Sequence, residues 1–172
     1  IDIPVACPRY AARVIKGVKV GPSPHWLIER LESIGLCSIN NVVDAANYVL
    51  MDSGHPMHTF DLGKINGETI NVRFAKKGEK FITLDNVERK LNDFHMLICD
   101  DKRPIALAGI MGGSNSEITE YTTDILLESA YFDPTVVRKG AKVLDISTEA
   151  SRRFERDTDI EGVIPALNQL AQ

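Results

Sequence analysis

Residues 40–61 read NNVVDAANYVLMDSGHPMHTFD. A polar pair leads into a helix, a Gly-Pro stop and then a strand. The spacing predicts the helix over 41–52. Asn40 or Asn41 can cap it, because a short side-chain oxygen accepts an otherwise orphaned backbone N–H. Val42, Ala46, Val49 and Leu50 recur at helical spacing on one face. Asp44 and Asn47 are three apart and share another face, where they can meet a common partner. Gly54 ends the helix and Pro56 prevents its resumption. Met57 to Phe60 then alternates as a strand, with His58 and Phe60 on the same side.

Upstream, residues 1–20 contain a strand around Ala11 to Ile15. Gly21-Pro-Ser-Pro24 breaks it. Ser23 suits an N-cap and Pro24 the first helical position. The helix there is expected to bury Leu27, Leu31 and Ile34, with Trp26 packing near its start and Gly35 closing it.

Downstream, strands dominate. Ile70, Val72 and Phe74 alternate on one face. Residues 81–84 and 87–91 flank Asp85-Asn86, a two-residue hairpin turn. Residues 96–100 and 104–108 form a second hairpin. Such a run indicates antiparallel sheet rather than alternating strand and helix. The fold class is therefore α+β, with an antiparallel middle.

Two further stretches carry polar information. Gly109-Ile-Met-Gly-Gly-Ser114 places three glycines in five residues. It follows a strand but lacks the Gly-Lys-Ser/Thr ending of a phosphate loop. Spacing favours a tight turn over a ligand cradle. Residues 124–132, DILLESAYF, form a strand with Ile125 and Leu127 on one face and Leu126, Glu128 and Ala130 on the other. Glu128 is thus a carboxylate in an apolar strand, which burial penalises unless something pairs with it. It reads either as an edge or salt-bridged residue, or as part of a site. Asp133-Pro134 starts another helix, and Ser147 or Thr148 caps the next. Arg152, Arg153 and Arg156 cluster there, as a solvated face or a phosphate contact. An amphipathic helix closes the chain over 160–170.

The 172 residues suffice for one domain with a sizeable core, and 44% hydrophobic with 26% charged is an ordinary soluble balance. No apolar run is long enough to cross a bilayer, and no signal-peptide pattern appears. A net charge of −4 argues against broad electrostatic binding of nucleic acid. The three scattered cysteines lack metal-ligand spacing and suit a reducing, cytoplasmic setting. Neither a zinc cluster nor a Cys/His nucleophile pair is present. Ile1 at the start and an apolar pattern running to the end suggest an excerpt of a longer chain. Unaided, the residues indicate an α+β domain with a possible small-molecule pocket.

A family resemblance adds to this. CPRYAARVIKGVKVGPSP, INNVVDAANYVLMDSGHPMHTFD, IALAGIMGGSNSEI, LLESAYFDP and STEASRRFERD, in that order, closely resemble the editing domain of the bacterial phenylalanyl-tRNA synthetase β subunit. The resemblance covers nearly all of residues 1–172 and implies one editing module of a larger subunit. It implies mostly antiparallel β-sheets in a sandwich-like core with helices packed on one side, and a pocket that hydrolyses tyrosine wrongly attached to the phenylalanine tRNA. His58 then matches the histidine near the ester, and Asn47 the asparagine of the preceding helix. Glu128 matches the glutamate that recognises the tyrosine hydroxyl. Thr148 and Ala150 match the threonine-x-alanine element, and Ala108, Gly109 and Gly112 the glycine loop. A non-catalytic scaffold or tRNA-docking module is the alternative. Implied partners are the tRNA 3′ end and a catalytic α subunit, in an α2β2 enzyme. Neither metal nor cofactor is expected in this module; ATP and Mg²⁺ would serve aminoacylation by the whole enzyme. The chain departs from the pattern at Ala46, where threonine is usual, and at Asp157, where glycine is expected.

Overall fold

Strand Asp124–Tyr131 is the centre of the first sheet. The computed structural model describes residues 1–172. In chain order the elements are β1 (Arg9–Lys16), α1 (His25–Ser33), α2 (Asn41–Ser53), β2 (Met57–Asp61), β3 (Asn71–Phe74), β4 (Lys80–Ile82) and β5 (Glu88–Lys90). There follow β6 (Met96–Cys99), β7 (Pro104–Leu107), β8 (Met111–Gly112), β9 (Asp124–Tyr131), α3 (Pro134–Leu144), α4 (Glu149–Phe154) and α5 (Val163–Leu170). The order β1-β9-β2 makes one sheet, β3-β6-β7-β8 a second, and β4-β5 a hairpin. All pairings are antiparallel. The class is α+β, as the strand-rich middle of the sequence indicates.

The alternation of β9 sorts its residues between two cores. Ile125 and Leu127 join Val42 of α2 and Leu167 of α5 on the outer face. Leu126 and Ala130 turn the other way, into a larger cluster with Phe60, Val72, Leu97, Ile98, Ile105 and Leu107 of both sheets. Val137 and Ala141 of α3 and Phe154 of α4 complete that cluster. Each fully buried side chain of this kind contributes roughly 1.5–3 kcal/mol relative to exposure. Glu128 shares the Leu126–Ala130 face, so the pleat aims its carboxylate inward.

Local signals set the helix ends. The Asn40 side chain accepts from the amides of Val42 and Val43, and Gly54 ends α2 in the left-handed region at φ 73°. Val42, Ala46, Val49 and Leu50 are all buried. Asp133 caps α3 through Val136 N–H. Asn86 takes φ 60° in the turn between β4 and β5.

The start of α1 differs from expectation. Pro24, not Ser23, holds the N-cap position, and no side chain caps the helix. The Ser23 hydroxyl instead donates to Asp44 Oδ2 at 2.5 Å. Asp44 also accepts from Ser38 Oγ and Ile39 N–H, so this wholly buried carboxylate draws in the loops on both sides of α1. Asp44 and Asn47 therefore share no partner. Helix α1 packs on α2 rather than on a sheet. Leu27 and Leu31 suffice for that contact, which leaves Ile34 and Trp26 half exposed. Trp26 stands edge-on to Tyr48, with the Arg30 guanidinium beside both rings. No helix is long and apolar enough to cross a membrane.

Candidate functional site

A cavity of about 380 Å³ lies where α2, β2, the 109–112 loop and the start of α4 converge. That volume is in the range of small-molecule sites. Asn47, His58, Gly109, Gly112, Glu128, Thr148 and Ala150 all line it. Residues separated by up to about a hundred positions in sequence thus meet at one concavity. Ala108 does not belong to its lining. It is buried in the larger core, and its N–H bonds the Met96 carbonyl. The chain leaves β7 there, so Ala108 supports the loop from behind.

Glu128 sits in the middle of β9, between β1 and β2, opposite Ala12 on one side and His58 on the other. An edge position is thereby ruled out, and no salt bridge forms. The residue is 6% exposed, and Oε2 is fully enclosed without a hydrogen-bond partner. Burial pushes its carboxyl up to about 8, with Tyr10 nearby offsetting part of the rise. A buried acceptor without a donor is costly and calls for an explanation.

His58 shares that face, because directly opposed residues of an antiparallel pair point the same way. Its ring stands edge-on to Phe60 with centroids 4.5 Å apart. Enclosure by protein pulls its pKa down to about 4. The imidazole is therefore neutral near pH 7 and can accept one hydrogen bond and donate another. Asn47 reaches the cavity from α2, and its side-chain amide has no protein partner in the structure.

The glycine loop combines both readings of its sequence. It is a tight turn between β7 and β8, and it also lines the cavity. Gly109 takes φ 71°, which a side chain would strain. Gly112 solves a different problem. A Cβ there would fall 2.7 Å from His58 Cε1 and 2.8 Å from Nε2. The absent side chain is the space that the imidazole occupies. Leu84 N–H donates to the Gly112 carbonyl at 3.0 Å, so the β4-β5 hairpin braces this strand. Within the loop, the Ile110 and Gly113 amides are committed to the carbonyls of Leu107 and Ile105. The Gly109 amide takes part in none of these turn bonds.

Thr148 carries a structural load. Its hydroxyl accepts from Ser151 N–H at 3.0 Å and donates to the Ile110 carbonyl at 2.8 Å. It thus caps α4 and ties that helix to the loop across the cavity. Ala150 follows on the first turn of α4, where a larger side chain would project into the space. The arginine cluster is held by acid: Arg152 and Arg153 both pair with Glu149. Asp157 accepts from the Tyr131 hydroxyl. This corner is a solvated face with its charges mostly paired.

Sequence reading missed Tyr10 and Cys7. Both lie close enough to Glu128 for its charge to raise their pKa values. Alternation along 9–16 would have found Tyr10, had the register of β1 on β9 been known.

Comparisons with known proteins identify the family. A family model described as the B3/4 domain matches residues 6–172. The phenylalanine–tRNA ligase β subunits of Protochlamydia amoebophila and Geobacter sulfurreducens are each 54% identical over 171 residues. In both cases 99% of this chain and 21% of the relative are covered. The β subunit of Symbiobacterium thermophilum is 48% identical over 172 residues, covering 19% of its length. The chain spans about a fifth of the length of these relatives. The crystal structure of an N-terminal fragment of the phenylalanyl-tRNA synthetase β subunit from Pyrococcus horikoshii matches with a TM-score of 0.63. That likeness covers 99% of this chain and 45% of the fragment at 14% identity, and it shows the fold alone.

Proposed function

The chain belongs to the B3/4 domain family, and from that premise we propose that it is the post-transfer editing module of a phenylalanyl-tRNA synthetase β subunit. Its reaction is hydrolysis of the ester that joins tyrosine, wrongly, to the 3′ end of the phenylalanine tRNA. The observation that carries this reading is Glu128: a buried, inward carboxylate on a central strand, at the wall of a cavity that Asn47, His58 and Thr148 also line. Tyrosine differs from phenylalanine by one hydroxyl. A tyrosyl group seated in the cavity gives Glu128 a donor from the cavity side, while a phenylalanyl group leaves that side unpaired. That difference is worth roughly 1–3 kcal/mol, and sites built to bond a substrate hydroxyl reject the deoxy analogue strongly.

The chemistry asks little of the protein, because an aminoacyl ester is already activated. Water adds to the ester carbonyl, the tetrahedral oxyanion collapses, and the ribose oxygen leaves with a proton. The module supplies placement and donors. Burial holds His58 neutral at pH 7, so it enters the reaction as a neutral hydrogen-bonding group. It orients the water or the terminal ribose by hydrogen bonding. The Asn47 amide is available to the same end. The Gly109 N–H, unclaimed by the turn, is the loop's best oxyanion donor. Thr148 and Ala150 fix the shape of the wall.

The module acts in cis within a longer cytoplasmic β subunit. Its catalytic α partner, in an α2β2 assembly, performs aminoacylation with ATP and Mg²⁺. Hydrolysis in this cavity draws on neither. The test is deacylation of tyrosyl- and phenylalanyl-tRNA by the full assembled enzyme, with wild-type, His58→Ala and Glu128→Ala modules. Loss of tyrosyl hydrolysis in both variants is expected. Unchanged hydrolysis in both would instead support a scaffold or tRNA-docking role.

A further inference from the structure

Two polar atoms on the inner face of the first sheet lack partners: Glu128 Oε2 and the Tyr10 hydroxyl. Both are fully enclosed. Tyr10 lies on β1 opposite Ala130, and Ala12 lies opposite Glu128. Tyr10 and Glu128 are therefore diagonal neighbours on one face, at a spacing that long side chains bridge. Tyr10 does not line the cavity, while Glu128 does. The tyrosine thus stands behind the carboxylate, away from any ligand.

The surroundings leave few other donors. The groups facing Glu128 are Tyr10 and Cys7 from the β1 side and His58 from β2. The Cys7 thiol is directed at the Arg9 carbonyl, 3.8 Å away. His58 faces the cavity against Gly112. Across the core, Ile98 and Ala106 of the second sheet offer only hydrocarbon. Leaving both a hydroxyl and a carboxylate oxygen unbonded in such a place costs more than a small torsion of the Tyr10 ring that joins them.

We propose that Tyr10 is a positioning residue for Glu128, donating its hydroxyl proton to Oε2 so that Oε1 is presented to the phenol of the substrate. This rests on the editing reading above. One carboxylate then serves two donors, one from the protein and one from the ligand. Tyr10 fixes the rotamer of Glu128 and favours its charged form, which is the stronger acceptor for a phenol. Discrimination is accordingly built by two residues, of which only one touches the substrate.

The test uses the full assembled enzyme and the ratio of kcat/KM for tyrosyl- over phenylalanyl-tRNA hydrolysis, measured from pH 6 to 9. Tyr10→Phe removes one oxygen atom. It is expected to lower the ratio about tenfold at pH 8.5, where the carboxylate is charged, the loss of one hydrogen bond to a charged group. It should also move the pH midpoint of the ratio upward, because the carboxylate loses a stabilising donor. In a Glu128→Gln background the same change should alter the ratio less than twofold. An unchanged ratio and midpoint in Tyr10→Phe, or an equal loss in the Glu128→Gln background, would overturn the role of Tyr10 alone. A wild-type ratio near one would overturn the editing reading with it. If Tyr10→Phe melts below the assay temperature, 3-fluorotyrosine at position 10 serves instead. Its more acidic hydroxyl should move the midpoint downward, and a midpoint that stays put would overturn the proposal.

Discussion

His58 and Glu128 stand directly opposite one another across the antiparallel pair of β2 and β9, with both side chains on the inner face. The same enclosure shifts them in opposite senses. Burial pulls the imidazole down to about 4 and pushes the carboxyl up to about 8. Burial disfavours whichever form is charged, so both residues are held towards neutrality by one physical cause. The imidazole is thereby neutral at pH 7, and the carboxyl titrates within the range where its charged form is reached by mild alkali.

For His58 this has a kinetic signature. If the ring orients water as a neutral group, tyrosyl-ester hydrolysis should show no step near pH 6.5, the ordinary histidine value. Activity should decline only as pH falls toward 4. Deacylation rates between pH 4.5 and 7.5 decide the matter; a step near 6.5 would mean that His58 titrates as an exposed imidazole does.

For Glu128 the signature is in stability. Its carboxyl binds a proton more tightly in the folded chain than in the unfolded one, from an ordinary value of 4.5 to about 8. Below pH 4.5 both states are protonated and the group is neutral to stability. Between 4.5 and 8 the unfolded chain releases a proton that the folded chain retains, so stability falls as pH rises. Glu128→Gln abolishes that loss. The variant should match wild type near pH 4 and be more stable at pH 8, by at most roughly 5 kcal/mol. Urea denaturation at the two pH values checks it. A variant less stable at pH 8 would show that the carboxylate is well satisfied in the folded chain.

Gly112 is expected to be intolerant of even one carbon. A Cβ would meet the His58 ring at 2.7 Å and Leu84 Cδ1 at 3.0 Å. Gly112→Ala should displace the imidazole and cost about 1–3 kcal/mol of stability. If His58 places the water as proposed, the substitution's effect on hydrolysis should exceed its effect on folding. Melting and deacylation of the same preparation separate the two effects.

Thr148 distinguishes hydroxyl from shape. Thr148→Val keeps the volume but removes both the α4 cap and the bond to the Ile110 carbonyl. A loss of about 1–2 kcal/mol is expected. Thr148→Ser keeps the hydroxyl and should stay within about 0.5 kcal/mol of wild type. Thermal denaturation of the pair checks this; a larger loss in Thr148→Ser than in Thr148→Val would mean that the threonine methyl, not the cap, carries the effect.

Much of the fold was legible because its signals are local. Asn40 and Gly54 mark α2, Asp133-Pro134 marks α3, and the alternation of 124–131 assigns Glu128 to the inward face without any knowledge of its neighbours. The reading went wrong where a side chain had a better distant partner. Ser23 looks like a cap, but Asp44, twenty-one residues on, takes its hydroxyl. Ile34 fits a helical stripe, yet α1 meets only one helix and has no second surface to bury it. Ala108 belongs to the glycine-loop motif, but a single step along the strand turns it from the cavity to the core. In the site, residue types were readable and convergence was not. That Tyr10 lies beside Glu128 depends on the register of strands more than a hundred residues apart. No local pattern encodes that register.

The central claim is that Glu128 reads a phenol in this cavity, and a titration of the 172-residue chain with free tyrosine and free phenylalanine tests it most directly. Backbone amide NMR shifts report binding even at millimolar affinity, about −4 kcal/mol. Tyrosine should shift the amides of Glu128, His58 and Gly112 at lower concentration than phenylalanine does, and Glu128→Ala should abolish the preference. Equal responses to the two amino acids, or a tyrosine preference that survives Glu128→Ala, would contradict the account.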